Sequence, residues 1–153
     1  MIQIRHLAAD HPALTADIER FLVTLRTERR YFGPSASSNP KPFRSLIADL
    51  GRRDGRRWAA IECGTIIGLA RVDETGRLHL AVAPDRRRCG VGTALARHAV
   101  EGSEALGPIV LRSTRRSHAA RRLAARLGCD VVDRGRGRTD LVIDLEPTTA
   151  TDL

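Results

Sequence analysis

The spacing of apolar positions changes several times along this chain, and each change marks an element. Residues 2–6 (IQIRH) alternate weakly and predict a first strand. Asp10 stands at a helix-cap position with Pro12 in the first turn, and Leu14, Ile18, Phe21, Leu22 and Leu25 then share one helical face. Residues 31–42 (YFGPSASSNPKP), rich in proline and serine, break the pattern and read as a loop. Phe43, Leu46, Ile47 and Leu50 resume helical spacing until Gly51, a C-terminal stop. A basic turn is expected over Gly51–Arg57. Beyond it the period becomes that of strands. Trp58–Glu62 and Thr65–Val72 predict a hairpin turning near Cys63-Gly64, and Leu78–Ala83 a third strand that Pro84 ends. Val91, Leu95, His98, Ala99 and Gly102 share a face of a helix running to about Ser103. Pro108–Ser113 predicts a strand, and Ser117 caps a helix carrying Ala120, Leu123 and Leu127 that stops at Gly128. Cys129–Arg134 and Arg138–Leu145 make a last pair of strands around Gly135 and Gly137.

The order β-α-α-β-β-β-α-β-α-β-β predicts an α/β (α+β) fold with a mixed sheet and helices on both of its faces. A chain of 153 residues favours one domain, here expected over residues 1–145, with residues 146–153 (EPTTATDL) as a polar tail.

Composition narrows the class. With 42% apolar and 29% charged residues the chain reads as globular, and no apolar run approaches the length of a membrane span, about 18 residues. The N-terminal MIQIRHLAAD lacks the apolar core of a signal peptide, so a cytoplasmic protein is expected. Cys63, Cys89 and Cys129 are odd in number and have no metal-type spacing; reduced thiols and no metal are expected. The net charge is +8, and Lys41 is the only lysine among 26 basic residues. Such charge suits an anionic ligand or nucleic acid, but a GC-rich coding bias towards arginine accounts for it as well. Aromatics are only 3% of the chain and no DNA-binding motif appears, which argues against nucleic acid.

Candidate chemistry concentrates in Leu78–Val100 (LHLAVAPDRRRCGVGTALARHAV). A strand ends at Pro84, an arginine-rich turn follows, and Gly90 and Gly92 open a helix. A helix start exposes unpaired N–H groups at the positive end of the helix dipole, and glycines there let a phosphate approach the backbone. The spacing fits neither a G-x-x-x-x-G-K-S/T loop nor a G-x-G-x-x-G dinucleotide turn.

Arg87-Arg88-Cys89-Gly90-Val91-Gly92 resembles the acyl-CoA pyrophosphate loop of the GNAT acetyltransferase superfamily, Q/R-x-x-G-x-G/A. Ser117–Cys129 (SHAARRLAARLGC) is similar to the same family's N-x-x-A-x-x-L-Y-x-x-L-G-F, with Ser117, Ala124 and Cys129 replacing the Asn, Tyr and Phe. The resemblance implies a GNAT fold with a splayed sheet and acetyl-CoA as co-substrate. It implies that Leu80, Ala81, Val82 and Ala83 hold the pantetheine by backbone, and that Arg87, Arg88, Cys89, Gly90, Val91, Gly92 and Thr93 hold the pyrophosphate. Ser117 would bond the pantetheine in place of Asn, and Arg121, with Arg122, would reach the nucleotide end.

The implied reaction is direct attack of a primary amine on the thioester. The acceptor is an amine-bearing small molecule or a protein; Thr27–Pro34 (TERRYFGP) is similar to a stretch of the bacterial protein-lysine acetyltransferase branch. A homodimer is compatible with the family. His79, on the strand before the loop, is the candidate base because its ordinary pKa lies near 6.5, although strand alternation leaves its face open. Glu62 is a second candidate. Cys89 lies too far from the acetyl end to act as a nucleophile, and Tyr31 is a candidate for the acceptor pocket or the acid. Ala124 stands where the family's Tyr protonates the leaving thiolate. That absence keeps a second reading open, an acyl-CoA-binding sensor or scaffold without turnover.

Overall fold

The computed structural model describes residues 1–7, 12–27, 41–87, 89–114 and 117–143. Its elements keep the predicted order: β1 (Ile2–Leu7), α1 (Pro12–Thr27), α2 (Lys41–Gly51), β2 (Arg56–Glu62), β3 (Thr65–Val72), β4 (Leu78–Val82), α3 (Val91–Glu101), β5 (Ile109–Thr114), α4 (His118–Leu127), β6 (Asp130–Gly135) and β7 (Arg138–Ile143). Strands β1 to β4 pair antiparallel in sequence order, and β5, β7 and β6 form a second antiparallel sheet with β7 central. The mixed character of the sheet rests on one isolated parallel bridge between Arg77 and Val110.

Local chemistry explains the turns and the layers. Cys63 and Gly64, with φ of 50° and 77°, form a two-residue loop in the left-handed backbone region, whose twist matches the right-handed twist of the strands in the tight hairpin between β2 and β3. Helix α1 buries Ile18, Phe21, Leu22 and Leu25 on its i, i+3, i+4, i+7 face. It packs with α2 on one side of the first sheet, while α3 lies across β2, β3 and β4 on the other. Val91, Leu95 and Ala99 form the buried stripe of α3. That helix stops at Gly102, where a Cβ would lie 2.6 Å from Cζ2 of the buried Trp58, so the absent side chain makes room for the indole.

Strand β2 begins at Arg56, inside the stretch expected to be a basic turn. Arg57 is only 7% exposed, and its cross-strand neighbour Arg71 only 2%. Arg71 in turn pairs in register with His79 of β4, which is 5% exposed. These three residues form a polar row on the side of the sheet that α1 and α2 cover. A charged run does not read as a buried strand, because burial of a cation depends on partners that sequence spacing does not reveal. For Arg71 the partner is Asp54: Nε donates to the Asp54 carbonyl at 2.9 Å, and Nη2 lies 3.3 Å from Oδ1. For His79 there are two: Nδ1 lies 3.5 Å from Asp49 Oδ2 on α2, and Nε2 3.2 Å from Asp73 Oδ2 in the β3–β4 turn.

Asp73 organises that turn. Its Oδ1 accepts from the Thr75 N–H at 2.9 Å, the Thr75 hydroxyl at 2.5 Å and the Arg77 N–H at 3.1 Å. Burial alone would push its carboxyl up, but these bonds and the His79 contact outweigh burial and hold it well below the usual carboxylate range. A carboxyl with a lower pKa folded than unfolded stabilises the fold above about pH 4, and that contribution disappears as pH falls through the folded value. Asp73→Asn should therefore be less stable than wild type at neutral pH, with the gap narrowing in acid. Urea midpoints measured down to pH 2.5 check this; a gap constant with pH would mean that the ionised form is not what the turn stabilises.

Candidate functional site

The bridge at Arg77 and Val110 is where β4 and β5 part. Residues of an antiparallel ladder turn their N–H and C=O groups alternately towards a given neighbour and away from it. The Ala83 N–H donates to the Ile67 carbonyl at 2.7 Å, and Ala81 faces Leu69 two positions earlier in the same register. Ala81 and Ala83 therefore turn their backbone groups towards β3. Leu78, Leu80 and Val82 turn theirs to the β5 side, as does Gly76, whose carbonyl accepts from the Val110 N–H at 3.0 Å. Beyond the bridge no strand of the described residues pairs with that edge of β4. Of the four residues expected to offer backbone, Leu80 and Val82 present it to the gap. Their side chains point at the start of α3: a Cβ on Gly92 would lie 3.6 Å from Val82 Cγ2 and 3.9 Å from Leu80 Cδ2.

The turn after β4 closes one end of the gap. Pro84–Arg86 form a single 3-10 turn. Arg86 Nε donates to Glu62 Oε1 at 2.6 Å, which fixes the turn to the end of β2. Arg87 Nε donates to the Val82 carbonyl at 2.9 Å, so its guanidinium sits at the mouth of the gap. Arg88 lies outside the described residues. Cys89 is exposed, and its thiol contacts the Arg87 carbonyl at 3.6 Å. Gly90 caps α3 at φ 81° and ψ 4°, a left-handed conformation in which a Cβ would be strained. No side chain caps this helix and its first turn holds no acidic residue. The N–H groups of Val91, Gly92 and Thr93 therefore open the helix without a protein carboxylate beside them, an arrangement that suits an anion. Val91 is buried in the core, and Gly92 and Thr93 are half-buried.

Helix α4 brings the second motif. Ser117 is its N-cap, and its Oγ accepts from the Ala120 N–H at 3.2 Å. Its hydroxyl proton is left to donate elsewhere. Arg121 and Arg122 are exposed on the next turn. Arg97 Nη2 of α3 donates to the Arg126 carbonyl at 3.4 Å, tying the two helices. Ala124 is 7% exposed and faces the core. Its carbonyl receives the Cys129 N–H at 3.1 Å, closing the helix at Gly128.

His79 lies one residue before the gap-facing Leu80 but points to the opposite side of the sheet, with both ring nitrogens against carboxylates. Glu62 is held by Arg86. Tyr31, and all of Thr27–Pro34 except Thr27, lie outside the described residues. Sequence reasoning missed the Arg86–Glu62 and Arg87–Val82 locks, since neither follows from spacing. The Asp73 turn did carry a signal, the Asp-x-Thr pattern of a side-chain-closed turn. Among the described residues no group of three or more His, Cys, Asp or Glu side chains is placed to hold a metal ion, and no helix is long and apolar enough to cross a membrane.

This architecture is shared with solved structures. The PaiA N-acetyltransferase of Thermoplasma acidophilum, solved in complex with coenzyme A, is 16% identical with a TM-score of 0.69, covering 94% of this chain and 99% of that one. The GNAT domain of S. lividans PAT is 17% identical with a TM-score of 0.67, covering 94% and 90%. YncA of Salmonella typhimurium, solved with acetyl-CoA, is 20% identical with a TM-score of 0.58, covering 99% and 98%. No curated protein sequence matches the chain. A profile of the acetyltransferase (GNAT) family matches residues 21–129, which is most of the chain and includes both the gap and the two helices beside it. The chain belongs to the GNAT acetyltransferase family.

Proposed function

We propose that this protein transfers an acetyl group from acetyl-CoA to a primary amine by direct attack. The observation that supports it most is the meeting of two sets of backbone donors, those of Leu80 and Val82 facing the gap and those opening α3 at Gly90. The residues fit the co-substrate: the gap edge suits the amide-rich pantetheine, and the uncapped helix start with Arg87 beside it suits the pyrophosphate. When bound, acetyl-CoA supplies the activated acetyl group. The Leu80 N–H polarises the acyl carbonyl, as a fixed backbone donor does for developing oxyanion charge. The Ser117 hydroxyl and Arg121 serve the pantetheine and nucleotide ends. The acceptor is an amine on a small molecule or on a protein.

No side chain is assigned to carry the amine proton. His79 faces away from the gap between Asp49 and Asp73, and Ala124 offers no proton at all. Positioning of amine and thioester then provides the catalysis, with water taking the proton. The same two features favour a second reading, acyl-CoA binding without turnover. Release of coenzyme A in a screen of amines, amino acids and peptides separates the two.

Acetyl-CoA at a hundredfold excess over Kd should stabilise the fold by about 2.7 kcal/mol, a midpoint rise of about 5–10 °C at this chain length. Gly92→Asp should remove the response and keep the fold, because a Cβ fits there, with its nearest neighbour 3.6 Å away, while the carboxylate repels phosphate. An unchanged melting curve with acetyl-CoA, or an unchanged response in Gly92→Asp, would contradict the proposal.

His79→Gln tests the proton route. If His79 only braces β4, kcat/KM should fall less than about tenfold and the pH profile should keep its shape. A general base would cost about 10²–10⁴ and remove the limb titrating near neutrality. Acetyl-CoA binding of the variant, measured in parallel, separates a lost base from a displaced strand.

A further inference from the structure

Arg87 stands between the two halves of the site. Its Nε donates to the Val82 carbonyl at 2.9 Å. Ala81 and Ala83 turn their backbone groups to β3, so the Val82 carbonyl points the other way, to the gap. A donor reaches it from the gap side, and the guanidinium therefore occupies the place that a pantetheine amide would take. Val82 also borders the helix start: its Cγ2 lies 3.6 Å from where a Cβ on Gly92 would stand. The Arg87 side chain is thus beside both the carbonyl and the N–H groups that open α3. Its backbone is anchored separately, by its own N–H on the Pro84 carbonyl at 3.4 Å and by the Arg86–Glu62 pair one residue earlier. The side chain can exchange partners while the turn keeps its shape.

Resting on the acyl-CoA reading of this site, we propose that Arg87 determines donor specificity by acting as a latch. Without a pyrophosphate it caps the Val82 carbonyl; with one it turns to the phosphates and yields that carbonyl to the pantetheine. The difference between the two acceptors drives the exchange. A neutral carbonyl takes one N–H of the guanidinium, whereas a pyrophosphate offers several anionic oxygens that suit its planar fork and bond it more strongly. Release is therefore favourable only when phosphate is present, and phosphate and pantetheine binding reinforce each other. The substrate class that follows is the intact coenzyme A thioester. An acyl group on a pantetheine arm that lacks the pyrophosphate meets a capped edge.

Calorimetric titration at constant ionic strength tests this with three probes: acetyl-CoA, acetyl-pantetheine and inorganic pyrophosphate. In the wild-type protein pyrophosphate should tighten acetyl-pantetheine binding by a factor of about 5 or more, and acetyl-pantetheine should tighten pyrophosphate binding equally, since coupling is reciprocal. Acetyl-pantetheine carries no net charge, so attraction between the two ligands does not produce that sign. Arg87→Ala should bind acetyl-pantetheine more tightly than wild type, bind acetyl-CoA more weakly, and lose the coupling. Wild-type acetyl-pantetheine affinity that pyrophosphate leaves unchanged or lowers would overturn the proposal. So would an Arg87→Ala protein that loses affinity for acetyl-CoA alone, the mark of a guanidinium holding carbonyl and phosphate together. The wild-type coupling decides the matter even if Arg87→Ala does not fold. Acetyl-CoA that binds without such coupling removes the latch and leaves the proposed function standing; acetyl-CoA that does not bind removes both.

Discussion

A parallel strand pair that stops after one bridge leaves a row of backbone donors and acceptors with no strand to receive them. In this protein β4 and β5 touch at Arg77 and Val110 and then diverge. The pairing of β4 with β3 fixes which backbone groups are left over, and the answer is every second residue: Leu80 and Val82. Unsatisfied backbone at the edge of a packed core is costly, and a ligand carrying amides is one way to satisfy it. The same strand ends in a turn that leads directly to an uncapped helix start. Gap and helix start therefore form one continuous surface, donors along its length and positive potential at its end.

Holding that edge open demands rigidity behind it. The opposite side of β4 supplies it through His79, which joins the strand to α2 through Asp49 and to the preceding turn through Asp73. Side chains of Leu80 and Val82 brace against the start of α3 at Gly92, within ordinary van der Waals reach of where a Cβ would stand. Arg86 and Arg87 then pin the turn itself to Glu62 and to the Val82 carbonyl. Catalysis by position needs such bracing more than it needs a particular proton carrier.

The order of elements was legible because apolar spacing and the Gly and Pro punctuation agreed on each element, though not on where β2 begins. The helix start at Gly90 was legible for a related reason: a glycine pair before an apolar stripe is a backbone requirement, written in residue type alone. Arg56 and Arg57 were misread as turn because a buried cation looks like a solvated one until its strand neighbours are known. His79 was ambiguous because alternation says that neighbours on a strand point oppositely but not which face meets the ligand. The backbone parity of β4 was likewise hidden, since it follows from register with β3 and leaves no trace in side-chain identity. Ala124 was legible as a departure from the family pattern, and the structure adds that it lies in the core.

Backbone parity gives the sharpest measurement. Amide hydrogen exchange, resolved by residue, should find Ala81 and Ala83 protected in the protein alone, because their N–H groups already bond β3. Leu80 and Val82 should exchange faster and become protected when acetyl-CoA is added. Protection that appears at all four residues together, or none at Leu80 and Val82 in the presence of saturating acetyl-CoA, would contradict the claim that the open edge of β4 receives the pantetheine.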